Sequence, residues 1–401
     1  MKLLQVIGVR TLTVVALLAG AELGLRPFGW GQWTVNETTE RYGWRMLPDQ
    51  RAWSRKLDVP EDINAFGFRD RDWDPPRRGP DGAWEKDESL FRVATVGNSM
   101  TFGTSVPVEQ TWPRVLEDLL REDFRARGVA REPLVMNFAV QGYVFEQMAR
   151  VHEDWIRRWR PDLVFVPTHP HDITPMKPAQ DDPDYEFRDL ILRTALYDLL
   201  QTHVINRWVP PPPPPAPPPR ARRDGQVPPE ELTPSEWAAL DESITQQPFN
   251  RGHERWWKAM AQRLDGLRTQ VEEDGGRLVV MTLPRFRDLF EPKLMKASSK
   301  WIPWTMEHPS ALHVEPLADF RVPATALRDE ILAKGLPHTQ THDFGTLRWT
   351  DASGVEHRGD ELEHAGEALF FLDDTGHYTA AGHRLIALHA FRELQRAGWL
   401  P

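Results

Sequence analysis

Four short apolar runs punctuate the chain: Phe91 to Val96, Leu134 to Asn137, Asp162 to Val166 and Arg277 to Leu283. Each is the length of a buried strand and rich in aliphatic and aromatic residues. Elsewhere the period changes. From Thr111 to Leu120 the apolar positions recur at helical spacing, and Pro113 suits a first helical turn. Val144 to Trp159, Glu254 to Glu273 and Ala380 to Arg396 carry the same helical spacing, and a weaker last strand is expected from His338 to Phe344. Strands alternating with helices predict an α/β chain, with a parallel sheet of about five strands wound right-handedly and covered on both faces. Ligands of such sheets bind beyond the C-terminal strand ends.

The alternation fails in four places. Residues 1–26 carry Lys2 and Arg10, then the uncharged stretch Thr11 to Ala21 and the small-x-small form Ala19-Gly20-Ala21. That pattern reads as a targeting segment, either a cleaved signal peptide or a retained membrane anchor. Residues 27–88 are rich in Arg, Asp, Pro and Trp and lack a period, so they read as an extended segment that wraps the domain and covers a sheet edge. Within residues 89–401, a proline-rich insertion at 209–229 includes a polyproline rod over Pro210 to Pro219. A Trp-containing insertion at 285–323 carries Phe286, Phe290, Trp301, Ile302 and Trp304. It reads as a lid or substrate wall, or as a satellite apolar cluster.

Composition narrows the chemistry. Forty per cent apolar residues and 17 Trp among 401 are ample for a core, as one large domain or two modest ones. Zero cysteines exclude disulfides, thiolate catalysis and Cys-ligated zinc. A net charge of −10 argues against a nucleic-acid partner, and the compact basic cluster Arg220, Arg222 and Arg223 flanks the proline run as a solvated linker end.

Between the first strand and the following helix lies Val96-Gly97-Asn98-Ser99-Met100-Thr101-Phe102-Gly103. A serine on such a turn stands at the rim of the sheet, near backbone N–H groups that can point at whatever it attacks. Its hydroxyl needs a base, and Asp374-x-x-His377, before the last helix, offers an imidazole with a carboxylate three residues away. Asp373 is the alternative carboxylate. Asn137-Phe138-Ala139-Val140-Gln141-Gly142 follows the second strand, where Gly142 permits close backbone approach, so its N–H can join that of Ser99 as oxyanion donors. His169-Pro170-His171-Asp172 follows the third strand and can complete the hole with a side-chain donor.

These blocks resemble those of the SGNH, or GDSL-type, hydrolases. GNSMTFG resembles the nucleophile block, NFAVQGY the glycine block and DTGHYTAAGH the Asp-x-x-His block, while HD stands where that family has Asn-Asp. The similarity runs in order from about residue 64 to 397, with Asn64 to Arg69 like a leader of exported members. The resemblance implies a three-layer, flavodoxin-like α/β/α fold and ester hydrolysis without a cofactor, with Ser99 as nucleophile, Asp374 as orienter, His377 as base, and Ser99, Gly142 and His171 around the oxyanion. Two positions depart from the pattern. Asn98 replaces an acidic residue, and His171 replaces an amide with an imidazole, whose tautomer and charge differ.

The expected partner is an acyl ester, with O-acetyl groups on an envelope polysaccharide or a lipid ester as candidates, outside the cytoplasm or on the inner membrane. Transfer to a sugar instead of water uses the same acyl-enzyme. Two other classes compete. A metal hydrolase would use His169, His171, Asp172, His377 and His383 as ligands, and a glycan-binding protein would keep the scaffold without turnover.

Overall fold

The computed structural model describes residues 2–26, 36–54, 59–104, 106–176, 194–200, 254–289, 298–333, 348–350, 356–358, 370 and 377–401. In chain order the principal elements are α1 (Lys2–Leu25), β1 (Leu90–Thr95), α2 (Trp112–Arg127), β2 (Glu132–Asn137), α3 (Phe145–Asp154), β3 (Leu163–Thr168), α4 (Glu254–Glu273), β4 (Arg277–Thr282), α5 (Ser298–Glu307), β5 (Ala311–Val314), α6 (Leu317–Ala333) and α7 (Ala380–Arg396). The strands form one parallel sheet in the order β2-β1-β3-β4-β5.

Side chains alternate across each strand, and the alternation assigns them to two cores. Ala94, Val164, Val166, Leu278 and Val280 face a core built with Met148, Leu264 and Leu267 of α3 and α4. Phe91, Val93, Val135, Leu163, Phe165, Val279 and Met281 face Leu116 and Leu120 of α2, Phe320 of α6 and Ile386 and Ala390 of α7. Central β3 is buried at all six positions, the expected state of a strand with helices on both sides. The chain is therefore a three-layer α/β/α structure, as its periodicity predicts.

The fifth strand of the sheet was not expected where it lies. It lies at Ala311–Val314, inside the stretch read as a Trp-containing insertion, whereas 338–344 fall outside the described residues. β5 is a four-residue edge strand with two half-buried positions, too short to show as an apolar run. The neighbouring tryptophans are not a satellite: Trp301 and Trp304 belong to the main core, with the Trp301 ring 5.1 Å from that of Trp257. Phe290 and the proline run fall outside the described residues.

The opposite edge of the sheet, β2, is closed by side chains. Its outward backbone positions are 133, 135 and 137, since Glu132 and Phe138 donate inward to Ser89 and Thr95. Pro133 has no N–H, Val135 N–H donates to the buried Glu117 carboxylate at 2.8 Å, and Asn137 N–H to Asp70 at 3.0 Å. No outward donor is left to template another strand. Asp70 belongs to the segment ahead of β1, which runs along this side. There Phe66, Phe68 and Trp73 pack rings against Phe138, Trp155 and Trp159 at 4.8–5.9 Å.

At the other end of the chain's first segment, α1 exposes Leu12, Val14, Val15, Leu17, Leu18 and Leu23. Among the described residues no helix is long and apolar enough to cross a membrane.

Candidate active site

Ser99 opens a single helical turn, Ser99–Phe102, directly beyond β1. Asn98 caps it: its side-chain oxygen accepts the Met100 N–H at 3.0 Å. Gly97 allows the chain to fold this tightly, because a Cβ there would stand 2.4 Å from the Thr101 hydroxyl. Met100, Thr101 and Phe102 are buried beneath the turn, which leaves Ser99 half-exposed at its outer corner. Neither the Ser99 nor the Gly142 backbone N–H has a hydrogen-bond acceptor among the described residues.

His377 Nε2 lies 2.9 Å from Ser99 Oγ. The next two residues, Tyr378 and Thr379, anchor the imidazole. The Tyr378 hydroxyl donates to Pro284 O at 2.6 Å, and Thr379 caps α7 by accepting the Gly382 N–H at 3.2 Å. His383, one turn into α7, accepts the Trp112 N–H on Nδ1 at 3.2 Å and so joins α7 to the start of α2. Burial pushes the His383 pKa down to about 3, so it serves as a neutral acceptor. Asp373 and Asp374 lie outside the described residues.

Gly142 follows β2 in the left-handed region, at φ +75°, with Trp44, from a short antiparallel hairpin of Asn36–Thr39 and Gly43–Met46, beneath it. Trp44 is fixed there from both sides, since its indole N–H donates to Gln141 O and the Tyr143 hydroxyl donates to Trp44 O. A Cβ at Gly142 would lie 3.2 Å from the Trp44 ring. Gly142→Ala is therefore expected to cost about 1–2 kcal/mol of stability for the left-handed backbone alone. A lowered unfolding midpoint would register it, and a midpoint equal to wild type would refute it.

Beyond β3, Pro170–Ile173 forms one tight turn locked by its own side chains. His169 Nδ1 accepts the His171 N–H at 3.3 Å, and Asp172 Oδ2 accepts the His169 N–H at 2.7 Å. Burial holds the His169 imidazole neutral, its pKa far below the usual histidine value, and the nearby charges of Arg285, His171 and His377 act in the same direction. Asp172 Oδ1 accepts from Asn98 Nδ2 at 2.9 Å, which ties this turn to the Ser99 turn. Beside Asp172 opens a cavity of about 410 Å³, floored by Phe145, Ile173, Trp256 and Met260 and bordered by Glu146 and Arg263.

Ser99, His377, Gly142 and the 169–172 turn thus all stand at the C-terminal ends of the strands or in the loop before α7. The groups considered for a metal do not converge in this way. His169 and His383 already use Nδ1 as an acceptor, and among the described residues no three His, Cys, Asp or Glu side chains are placed to hold an ion.

Sequence reasoning overlooked two side chains. Asp172, placed in the HD block and given no role beyond a metal ligand, bridges two of the motif blocks. Arg69, in the Asn64 to Arg69 leader, reaches under the Ser99 turn. Its guanidinium donates to Phe102 O at 3.0 Å, Val106 O at 2.7 Å, Pro60 O at 2.8 Å and, by a short contact, Gly103 O. A lone Arg in an aromatic turn gave no sign of that reach.

Among solved structures the chain is similar to several lipolytic proteins and esterases. One is a member of the lipolytic G-D-S-L family from Veillonella parvula, at 11% identity over 76% of this chain and 98% of that one, TM-score 0.35. Another is a lipase/acylhydrolase from Enterococcus faecalis, at 12% identity over 78% and 98%, TM-score 0.37. A third is a catalytic mutant of an acetylxylan esterase from Geobacillus stearothermophilus, at 13% identity over 77% and 96%, TM-score 0.37. The chain resembles the SGNH hydrolases in motif order and in its three layers. No protein-family model matches it, and no curated protein matches it in sequence. Similarity at these identities leaves its chemistry to be argued from Ser99 and its surroundings.

Proposed function

We propose that this protein is a serine ester hydrolase acting outside the cytoplasm on an acyl ester, with O-acetyl groups of an envelope polysaccharide or a lipid ester as the candidate substrates. The observation that carries this reading is the 2.9 Å approach of His377 Nε2 to Ser99 Oγ, within reach for proton transfer. Ser99 Oγ attacks the acyl carbon while its proton passes to His377 Nε2, and the carbonyl π electrons move onto oxygen. The Ser99 and Gly142 N–H groups and the His171 ring stabilise that oxyanion. Collapse breaks the bond to the alcohol, which leaves with the proton from His377. Water, deprotonated by the same imidazole, then releases the acid and restores Ser99; a sugar hydroxyl in place of water makes the reaction a transfer. Asp374 is the expected acceptor for the second His377 nitrogen.

The location outside the cytoplasm is drawn from the N-terminus. A helix that turns six large apolar side chains to solvent gains nothing in water, whereas a secretion apparatus or lipid surface would cover them.

Intact-mass measurement after treatment with a fluorophosphonate tests the chemistry. The full-length wild type is expected to take one adduct and Ser99→Ala none. A folded wild type that takes no adduct would defeat the esterase reading and favour a glycan-binding role.

A further inference from the structure

His171 stands where the resemblance calls for an amide donor, and its surroundings give the exchange a consequence. The backbone of the 169–172 turn is pinned by the two hydrogen bonds that join His169 to His171 and Asp172. The His171 ring, about one-quarter exposed, places Nδ1 3.8 Å from Asp172 Oδ1. Asp172 is 1% exposed and accepts from both Asn98 Nδ2 and the His169 N–H. Its two oxygens thus face donors, the arrangement suited to a carboxylate. We propose, on the serine-esterase reading, that the oxyanion donor is the imidazolium of His171, kept charged by Asp172, so that loss of one proton from His171 disables the hole.

The tautomers make this more than a loss of charge. With Nδ1–H turned to Asp172, a neutral His171 presents a lone pair at Nε2, which repels an oxyanion. Only the doubly protonated ring offers an N–H on both sides. An asparagine amide donates at every accessible pH. Asp172 is therefore a positioning residue that acts through His171, and its link to Asn98 couples the donor to the nucleophile turn.

The other charged groups around this turn come from separate elements. Arg285, after β4, is buried and committed to Asp288 at 2.7 Å. His377 comes from the loop before α7. Glu146 and Arg263, from α3 and α4, pair at 3.3 Å across the adjoining cavity. His169 is neutral. Arg285 opposes the imidazolium, and Asp172, with an oxygen 3.8 Å from Nδ1, favours it. Burial pushes the Asp172 carboxyl above the usual carboxylate value, and contacts with His171, the His169 N–H and Asn98 offset part of that rise.

The test is the pH profile of Ser99 phosphonylation by the fluorophosphonate, corrected for spontaneous hydrolysis of the probe, with circular dichroism at each pH. Wild type is expected to show an alkaline limb that falls about 10²–10³-fold, the effect of removing one oxyanion donor. His171→Asn is expected to react without the alkaline limb. Asp172→Asn, if it folds, should move that limb about one pH unit or more towards acid. A wild-type rate that stays level or rises from pH 7 to 10 would overturn the inference, as would an alkaline limb that survives in His171→Asn. Either result leaves Ser99-dependent labelling in place. A wild type that never labels removes the esterase reading and this inference together.

Discussion

Replacing His377 with alanine is expected to slow phosphonylation of Ser99 by about 10²–10⁴-fold, the usual contribution of a positioned general base. The size follows from the serine's own chemistry. A hydroxyl is almost fully protonated at neutral pH, so attack without a base must expel a proton into water as the bond forms. The imidazole removes that cost because it already lies 2.9 Å from Oγ. The fold should survive the change. His377 is half-buried, and the contacts that seat this loop belong to Tyr378 and Thr379, which the variant keeps. The measurement is the second-order labelling rate, with the unfolding midpoint as a control. A rate within threefold of wild type would remove His377 from the mechanism.

The second large effect is on stability. Arg69→Ala is expected to lower the free energy of unfolding by about 3–5 kcal/mol, since hydrogen bonds from a charged donor are worth about 1.5–3 kcal/mol each and this one group makes four, not all of them lost in full. Arg69 is 1% exposed and stacks 5.2 Å from the centre of the Phe102 ring. Burial disfavours its charge, and Glu61, Glu109, Asp62 and Asp70 nearby offset part of that. Its fork reaches carbonyls at both ends of a loop, from Pro60 to Phe102 and Val106, so the N-terminal segment and the nucleophile turn share one cation. Lysine cannot reproduce that geometry, because its single nitrogen carries no planar fork. Arg69→Lys should therefore recover little of the loss. Urea unfolding reads the result as a shift of midpoint at constant slope. A loss below about 1 kcal/mol would mean that the guanidinium only fills space.

Both variants concern contacts between distant parts of the chain, and this divides what could be read in advance from what could not. The segment Glu254–Glu273 was legible to its ends because its apolar positions repeat over 20 residues before Gly275-Gly276 stops them. The four strong strands were legible because a strand with helices on both faces must be apolar throughout. β5 was not legible: an edge strand of four residues with a half-buried Leu312 and His313 looks like loop. The helix expected over Val144 to Trp159 breaks after Asp154 and resumes as the short 3₁₀ turn Ile156–Trp159; Trp155, between them, leaves helical geometry, and its ring lies 5.9 Å from that of Phe68.

The sequence by itself determined the alternation of strands and helices, and it singled out Ser99, Gly142, His171 and His377 as candidates for the chemistry. Local spacing is enough for that, since burial imposes a period of two or 3.6 on any segment that faces a core. Only the tertiary structure decided that His377 meets Ser99 across 278 residues of chain. It also decided that Glu117 and Asp70 close the β2 edge, that Arg69 braces the Ser99 turn, and that the carboxylate next to His171 is buried and tied to Asn98. Such contacts leave no periodic trace, because they join groups far apart in the chain that meet only once the parallel sheet has formed.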